Sequence, residues 1–283
     1  MMVGVTALWS IAGVVTRQLE QARSFEVTFW RSFFTVLSLL VILPLWQGRG
    51  VWSRMPWRSP YFWLSGVCWS VMFTAFMLAL TLTAVANVLI TMALGPLLTA
   101  LITRIFLRHR LPARTWGAIV LAGAGIAWMY GSQLSLGAPN FLLGSAVALC
   151  VPIAGAVQWT LVQKSHAEGL DLDLVPSVLI GALLSSLFTF PLAWPFQASA
   201  HDVALLATLG LFQLAIPCTL SVICARVLKA PEVSLLALLE IVFGIALAWW
   251  GAHEAPQPSV LLGGALVLSA LLMNEFLARK NNV

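Results

Sequence analysis

Ten stretches of predominantly apolar residues take up most of this 283-residue chain, at approximately 1–17, 26–46, 60–81, 84–106, 114–131, 139–163, 173–194, 203–228, 232–251 and 258–277. A helix needs about 20 mostly apolar residues to cross the ~30 Å hydrocarbon core of a bilayer. Barrel strands alternate in polarity over about ten residues, whereas these runs are uniformly apolar and twice that length. Charged residues make up 9% of the chain, against roughly 25% in soluble domains, too few to wet a globule of this size. The pattern predicts an all-α membrane protein with ten transmembrane helices. It excludes a soluble enzyme, a secreted disulfide scaffold, a disordered chain and a nucleic-acid-binding domain as the main body. The first stretch is short, ending at Thr16 before Arg17, and lacks a basic n-region and an A-x-A-like cleavage site. It reads as a first helix rather than a signal peptide.

Boundaries are marked by Asp171 and Asp173 before the seventh stretch, Pro258-Ser259 at the tenth, and Pro112 after the basic Arg108-His109-Arg110. With ten spans, both termini share a face with the loops near 47–59, 104–113, 164–172 and 226–231. That face collects 12 of the 15 Lys and Arg residues; Arg17 and Arg23 lie opposite, with Arg31 just inside the adjacent helix end. Basic residues accumulate on the cytoplasmic side, so both termini are expected there. The net charge of +5 then records orientation, not affinity for nucleic acid. Cys68, Cys150, Cys218 and Cys224 each sit inside an apolar run without a second Cys at metal-ligand spacing. They read as buried apolar residues, with neither a disulfide nor a metal site expected.

Sliding the chain against itself by 146 residues places Ala79 on Ala225, Ala84 on Ala230, Pro112 on Pro258 and Gly117 on Gly263. The third to fifth stretches thus resemble the eighth to tenth. Two halves of five helices, 1–135 and 136–283, must enter the membrane from opposite sides. Such inverted repeats belong to secondary transporters, whose substrate site lies near the midplane between the halves.

The sequence resembles the drug/metabolite transporter superfamily, in particular its ten-helix EamA-type exporters, over nearly its whole length. The residues that carry the resemblance are Leu8-Trp9-Ser10, Phe29-Trp30-Arg31-Ser32-Phe33, Gly95-Pro96-Leu97-Leu98-Thr99-Ala100-Leu101, and Leu239-Glu240-Ile241-Val242-Phe243 followed by Glu254 and Gly263-Gly264. Ile241 stands where that last signature usually has Pro, which puts a kink there in doubt, and His109 stands where the first half usually has Glu. Within the superfamily the YddG-like amino-acid exporter branch is favoured. The resemblance implies a bacterial cytoplasmic (inner) membrane protein with a central cavity and the fifth and tenth helices peripheral.

No catalytic cluster is present. His109 and His166 fall in cytoplasmic loops, His201 and His253 in external ones, and no metalloprotease, nucleophile-elbow or phosphate-loop motif occurs. The chain is not expected to be an enzyme, and no cofactor is implied. Gly123, Gly125, Gly263 and Gly264 read as helix-packing residues.

Candidate substrate contacts are the polar and aromatic residues within the spans. Glu240 stands out, because an acid near the centre of a span costs about 2.5–3.5 kcal/mol and is functional by default. It is either a substrate or proton contact, or a neutral carboxyl hydrogen-bonded to a neighbouring helix. Asn87 and Thr91 could bind a zwitterion or simply join helices. Gln158-Trp159 could line the cavity or anchor an interface, and Trp9 lies too deep for an interfacial belt. Gln213 and Ser221 are weaker candidates, and Pro152 and Pro217 read as hinges or static kinks. Arg31, Arg104 and Arg226 lie close enough to a membrane face to snorkel, which leaves no mid-depth cation for phosphorylated solutes.

The expected function is export, by alternating access, of small neutral or zwitterionic, partly hydrophobic solutes, foremost aromatic or hydrophobic amino acids. The alternative is a lipophilic cation with Glu240 as counter-ion. The expected partners are the lipid bilayer and a small-molecule substrate, with the protein a monomer or weak homodimer.

Overall fold

The computed structural model describes residues 1–107, 116–118, 120–125, 127–128, 140–170, 172–228 and 230–280, and it is helical with no strand among them. Arg108-His109-Arg110, Pro112, Arg114, Asp171, Lys229 and the 135/136 boundary between the expected halves lie outside the described residues. The elements are α1 (Met2–Trp9), α2 (Ile11–Thr16), α3 (Ser24–Gln47), α4 (Val51–Arg54), α5 (Pro60–Leu82), α6 (Val85–Met92) and α7 (Gly95–Leu107). They continue with α8 (Phe141–Ala167), α9 (Ser177–Ala193), α10 (Ala200–Thr208), a π-helical segment (Leu209–Ala215), α11 (Ile216–Val227), α12 (Ala230–Ala237), α13 (Leu239–Ala252) and α14 (Pro258–Lys280).

Five helical stretches are long and apolar enough to cross a membrane: Ser24–Gln47, Pro60–Leu82, Val85–Ile105, Phe141–Ala167 and Ala200–Val227. Five shorter apolar helices fall at Met2–Thr16, Trp116–Gly125, Ser177–Ala193, Leu239–Ala252 and Pro258–Ala270. These positions coincide with the ten apolar stretches of the sequence. Bulky apolar side chains face outward along them, as with Leu37, Leu40, Val41 and Leu45 on α3 and Leu187, Phe188 and Leu192 on α9. In lipid, where helices satisfy their own backbone and the surroundings are apolar, that is the stable arrangement.

The fourth and ninth stretches are both broken. The first turns at Ala93-Leu94, between α6 and α7; the other turns at Leu238, between α12 and α13. Position 238 lies 145 residues beyond 93, so the two breaks share a register. Gly95-Pro96 follows the first, but the second occurs without a proline, Ile241 notwithstanding. The two broken stretches lie antiparallel: α6 packs on α13, and α7 packs on α12.

Beside them α5 is sandwiched between α8 and α9, and α9 in turn packs on α3. Small residues let these backbones meet. A Cβ on Gly181 (α9) would lie 2.2 Å from Trp69 Cβ and 3.0 Å from the Gly66 carbonyl, both on α5. Hydroxyls bridge the same seams, Ser65 to Ser177 at 2.6 Å, Ser32 to Ser185 at 3.0 Å and Thr74 to Ser185 at 2.9 Å. Of the expected packing glycines, Gly125 and Gly264 are in such close approaches, to Gly263 and Ile90, whereas Gly123 faces open space.

Loops at the end of the molecule where α3 starts are tied by buried carboxylates. Glu26 accepts from the Gln197 and Ala198 amides at 2.8–3.0 Å. Asp202 accepts from the Glu20, Gln21 and Ala22 amides at 2.8, 2.9 and 3.0 Å while closing a capping box with Ser199. Arg17 reaches the Leu80 and Thr83 carbonyls, each at 2.9 Å, and Glu254 at 2.5 Å, and Glu254 also accepts from the Val85 amide at 2.7 Å.

Replacing Gly181 by Ala should force α9 off α5. Overpacking of this kind costs about 1–3 kcal/mol, so a lower melting temperature of the detergent-solubilised protein is expected. An unchanged melting curve would contradict the backbone contact.

Candidate functional site

A cavity with about 830 Å³ of empty space, which includes space open to solvent, lies where the two helix breaks meet. Its lining comes from α1, α3, α5, α6, α7, α8, the π segment, α11, α12 and α13. None of its lining residues belongs to α9, to Trp116–Gly125 or to α14. Most of the wall is apolar or aromatic, as small-molecule sites are.

The π segment is the local consequence of one proline. Pro217 cannot donate to the Gln213 carbonyl, and its ring clashes with it. The helix ahead of it widens into the π form over Leu209–Ala215, a distortion frequent at functional sites. The widened turn lies close on α3: Thr35 Oγ1 donates to the Gly210 carbonyl at 3.1 Å, and a Cβ on Gly210 would lie 2.9 Å from the Arg31 carbonyl. This contact brings Gln213 to Arg31.

Arg31 does not snorkel. It is fully buried in protein and lines the cavity. Its Nη1 donates to Gln213 Oε1 at 3.0 Å, its Nη2 donates to the Phe73 carbonyl at 2.5 Å, and its guanidinium carbon lies 5.9 Å from the Phe76 ring centroid. The expectation that no cation lies inside therefore fails, because distance along the helix to the membrane face was taken for exposure. A signal was available. Thr28, Arg31, Ser32 and Thr35 fall on one stripe of α3 at helical spacing, and all four are fully buried, opposite the lipid-facing Leu37, Leu40 and Val41. The other two basic residues read as snorkelling do sit at helix ends: Arg226 pairs with Asp173, and Arg104 lies over the Trp116 ring at 5.6 Å.

Of the residues singled out in the sequence, Trp9, Trp159, Gln213 and Glu240 line the cavity together. Trp159 meets Trp69 edge to face, with centroids 5.9 Å apart, so it is no interfacial anchor. Glu240 sits in the first turn of α13, and no described residue donates to its carboxyl. Glu26 and Asp202 are as buried, but backbone amides occupy both of them.

Asn87, Thr91 and Gln158 are not part of the lining. Thr91 donates to the Asn87 carbonyl at 2.7 Å and Asn87 to Thr83 Oγ1 at 3.1 Å, bonds internal to this stretch of chain. Gln158 is fully buried, but its neighbour Trp159 holds the cavity face, and consecutive helical residues point about 100° apart. Pro152 does line the cavity, while Ser221 donates to the Cys218 carbonyl at 2.7 Å and lies outside the lining.

Residues 1–131 match the EamA-like transporter family. That match implies a membrane transporter of the drug/metabolite kind, and the EamA-like segment holds α1 to α7, which supply Trp9, Arg31 and the first helix break. The fold as a whole is similar to that of a solved crystal structure, with a TM-score of 0.67 and 20% sequence identity over 99% of this chain and 98% of the other. No curated protein matches the chain.

Glu240→Gln keeps the shape and removes the charge. Because no described residue holds the carboxyl, the substitution should leave the protein folded and in the membrane while altering the pH dependence of transport or its preference for amines. Arg31 and Cys218 are the other titratable groups on the same wall. Unchanged flux and pH profile at equal expression would remove Glu240 from the site.

Proposed function

We propose that this protein is a secondary transporter that exports small neutral or zwitterionic, partly hydrophobic solutes, foremost aromatic or hydrophobic amino acids, by alternating access. In this reading ten helices form two inverted halves, 1–135 and 136–283, in a bacterial cytoplasmic membrane with both termini in the cytoplasm. The observation that carries it is the cavity at the paired helix breaks, which draws its walls from both halves and holds Glu240 among aromatic side chains. Discontinuous helices in matching positions mark the binding site in transporters built from repeats. The indoles of Trp9, Trp69 and Trp159 suit an apolar or aromatic solute, and partnerless Glu240 suits an amine. Glu240 is also what supports the alternative, a lipophilic cation.

Proteoliposomes containing only this protein test the reading. Counterflow of labelled L-phenylalanine or L-leucine above empty liposomes is expected, with sugar nucleotides and triose phosphates not carried. Flux of a phosphorylated solute at the same rate would defeat the substrate class, and no flux of any solute would defeat transport itself.

Orientation has its own test. His166, exposed at the end of α8, belongs to the cytoplasmic face in this reading. A cysteine placed there in a background without other reactive cysteines should resist impermeant thiol reagents added to intact cells. Labelling from outside would invert the topology.

A further inference from the structure

Arg31 is held with its Nε–H unpaired. Gln213 and the Phe73 carbonyl are neutral acceptors that fix the guanidinium in place. Its Nε–H has no partner, and no ion pair among the described residues includes it. A buried cation without an anion is costly, and its pairing in low dielectric is correspondingly strong. The guanidinium fork matches a carboxylate in shape. On the same cavity wall the Trp69 indole N–H, buried like Arg31, also lacks an acceptor. Two residues that each carry an unpartnered donor thus line a cavity whose acid, Glu240, lies beyond ion-pair distance of Arg31.

We propose that Arg31 anchors the carboxylate of the substrate, with Glu240 receiving its ammonium group, so that the cavity selects solutes carrying one carboxylate and one amine. This rests on the transport reading above and narrows its substrate class. A lone guanidinium and a lone carboxyl leave a zwitterion with both poles matched. A phosphate dianion would need further buried cations, and a lipophilic cation would meet Arg31 with like charge. An arginine serving only to join α3, α5 and the π segment would have no reason to leave Nε unsatisfied in a cavity wall.

The test is displacement of labelled L-phenylalanine from the purified full-length protein in detergent. Unlabelled L-phenylalanine should compete, whereas phenylalaninamide and phenethylamine, which lack the carboxylate, and 3-phenylpropanoate, which lacks the amine, should compete about tenfold more weakly or worse, as loss of a charge-assisted hydrogen bond implies. Arg31→Gln should abolish the discrimination against the two compounds without a carboxylate, and Arg31→Lys should restore part of it. Equal competition by phenethylamine and phenylalanine, or that discrimination retained in Arg31→Gln, overturns the proposal, as does failure of L-phenylalanine and L-leucine alike to bind. If neither variant folds, the series on the unaltered protein decides alone. Flux in proteoliposomes without a carboxylate preference would overturn this proposal and leave the transport reading standing; no flux of any solute would remove both.

Discussion

Inside the hydrocarbon layer no water is available to satisfy a backbone N–H or C=O, so a helix can be interrupted only where protein or a cavity receives the freed groups. That constraint organises this molecule. Besides the turn at Ser10 between α1 and α2, its interruptions at Ala93-Leu94 and at Leu238 do not occur at separate places on the surface. They share a register, lie on antiparallel neighbours, and border the same cavity. The widened helix ahead of Pro217 is a further departure from ideal geometry, and it faces the same space. Irregular backbone and cavity go together because each is tolerable only in the presence of the other.

Buried charge is handled in two ways. Glu26 and Asp202 are surrounded by backbone amides and act as fasteners for the loops at residues 20–22 and 197–198. Arg31 and Glu240 are held in an apolar cavity with bonds unmade. Burial alone does not separate these pairs; the count of satisfied hydrogen bonds does.

The apolar runs, the all-helical class and the depth of Glu240 were legible in the sequence because each depends on local composition. Arg31 was not legible by position, since a helix end in sequence says nothing of what packs over it, and the close approach at Gly210 that buries it is a long-range contact. The polar stripe Thr28, Arg31, Ser32, Thr35 carried that information in a form that counting depth overlooks. Asn87 and Gln158 lie outside the cavity lining for a related reason. A polar side chain in a span can bond along its own stretch of chain, as the Asn87 amide does to Thr83, or point a third of a turn away from the cavity, and residue type does not distinguish these cases. The break at Leu238 had no proline to announce it.

The glycine contacts bear on how such a molecule can move. With Gly66 and Gly181 pressed backbone to backbone, and Gly210 seated on the α3 main chain, α9 meets α5 and the π segment meets α3 at points where no side chain separates the main chains. Sliding any of these past another by even a fraction of a turn would drive one main chain into another. They can translate or tilt only together, as a rigid slab. Any opening of the cavity must then be borne by parts that lack such main-chain contacts, among them the turns between α6 and α7 and between α12 and α13.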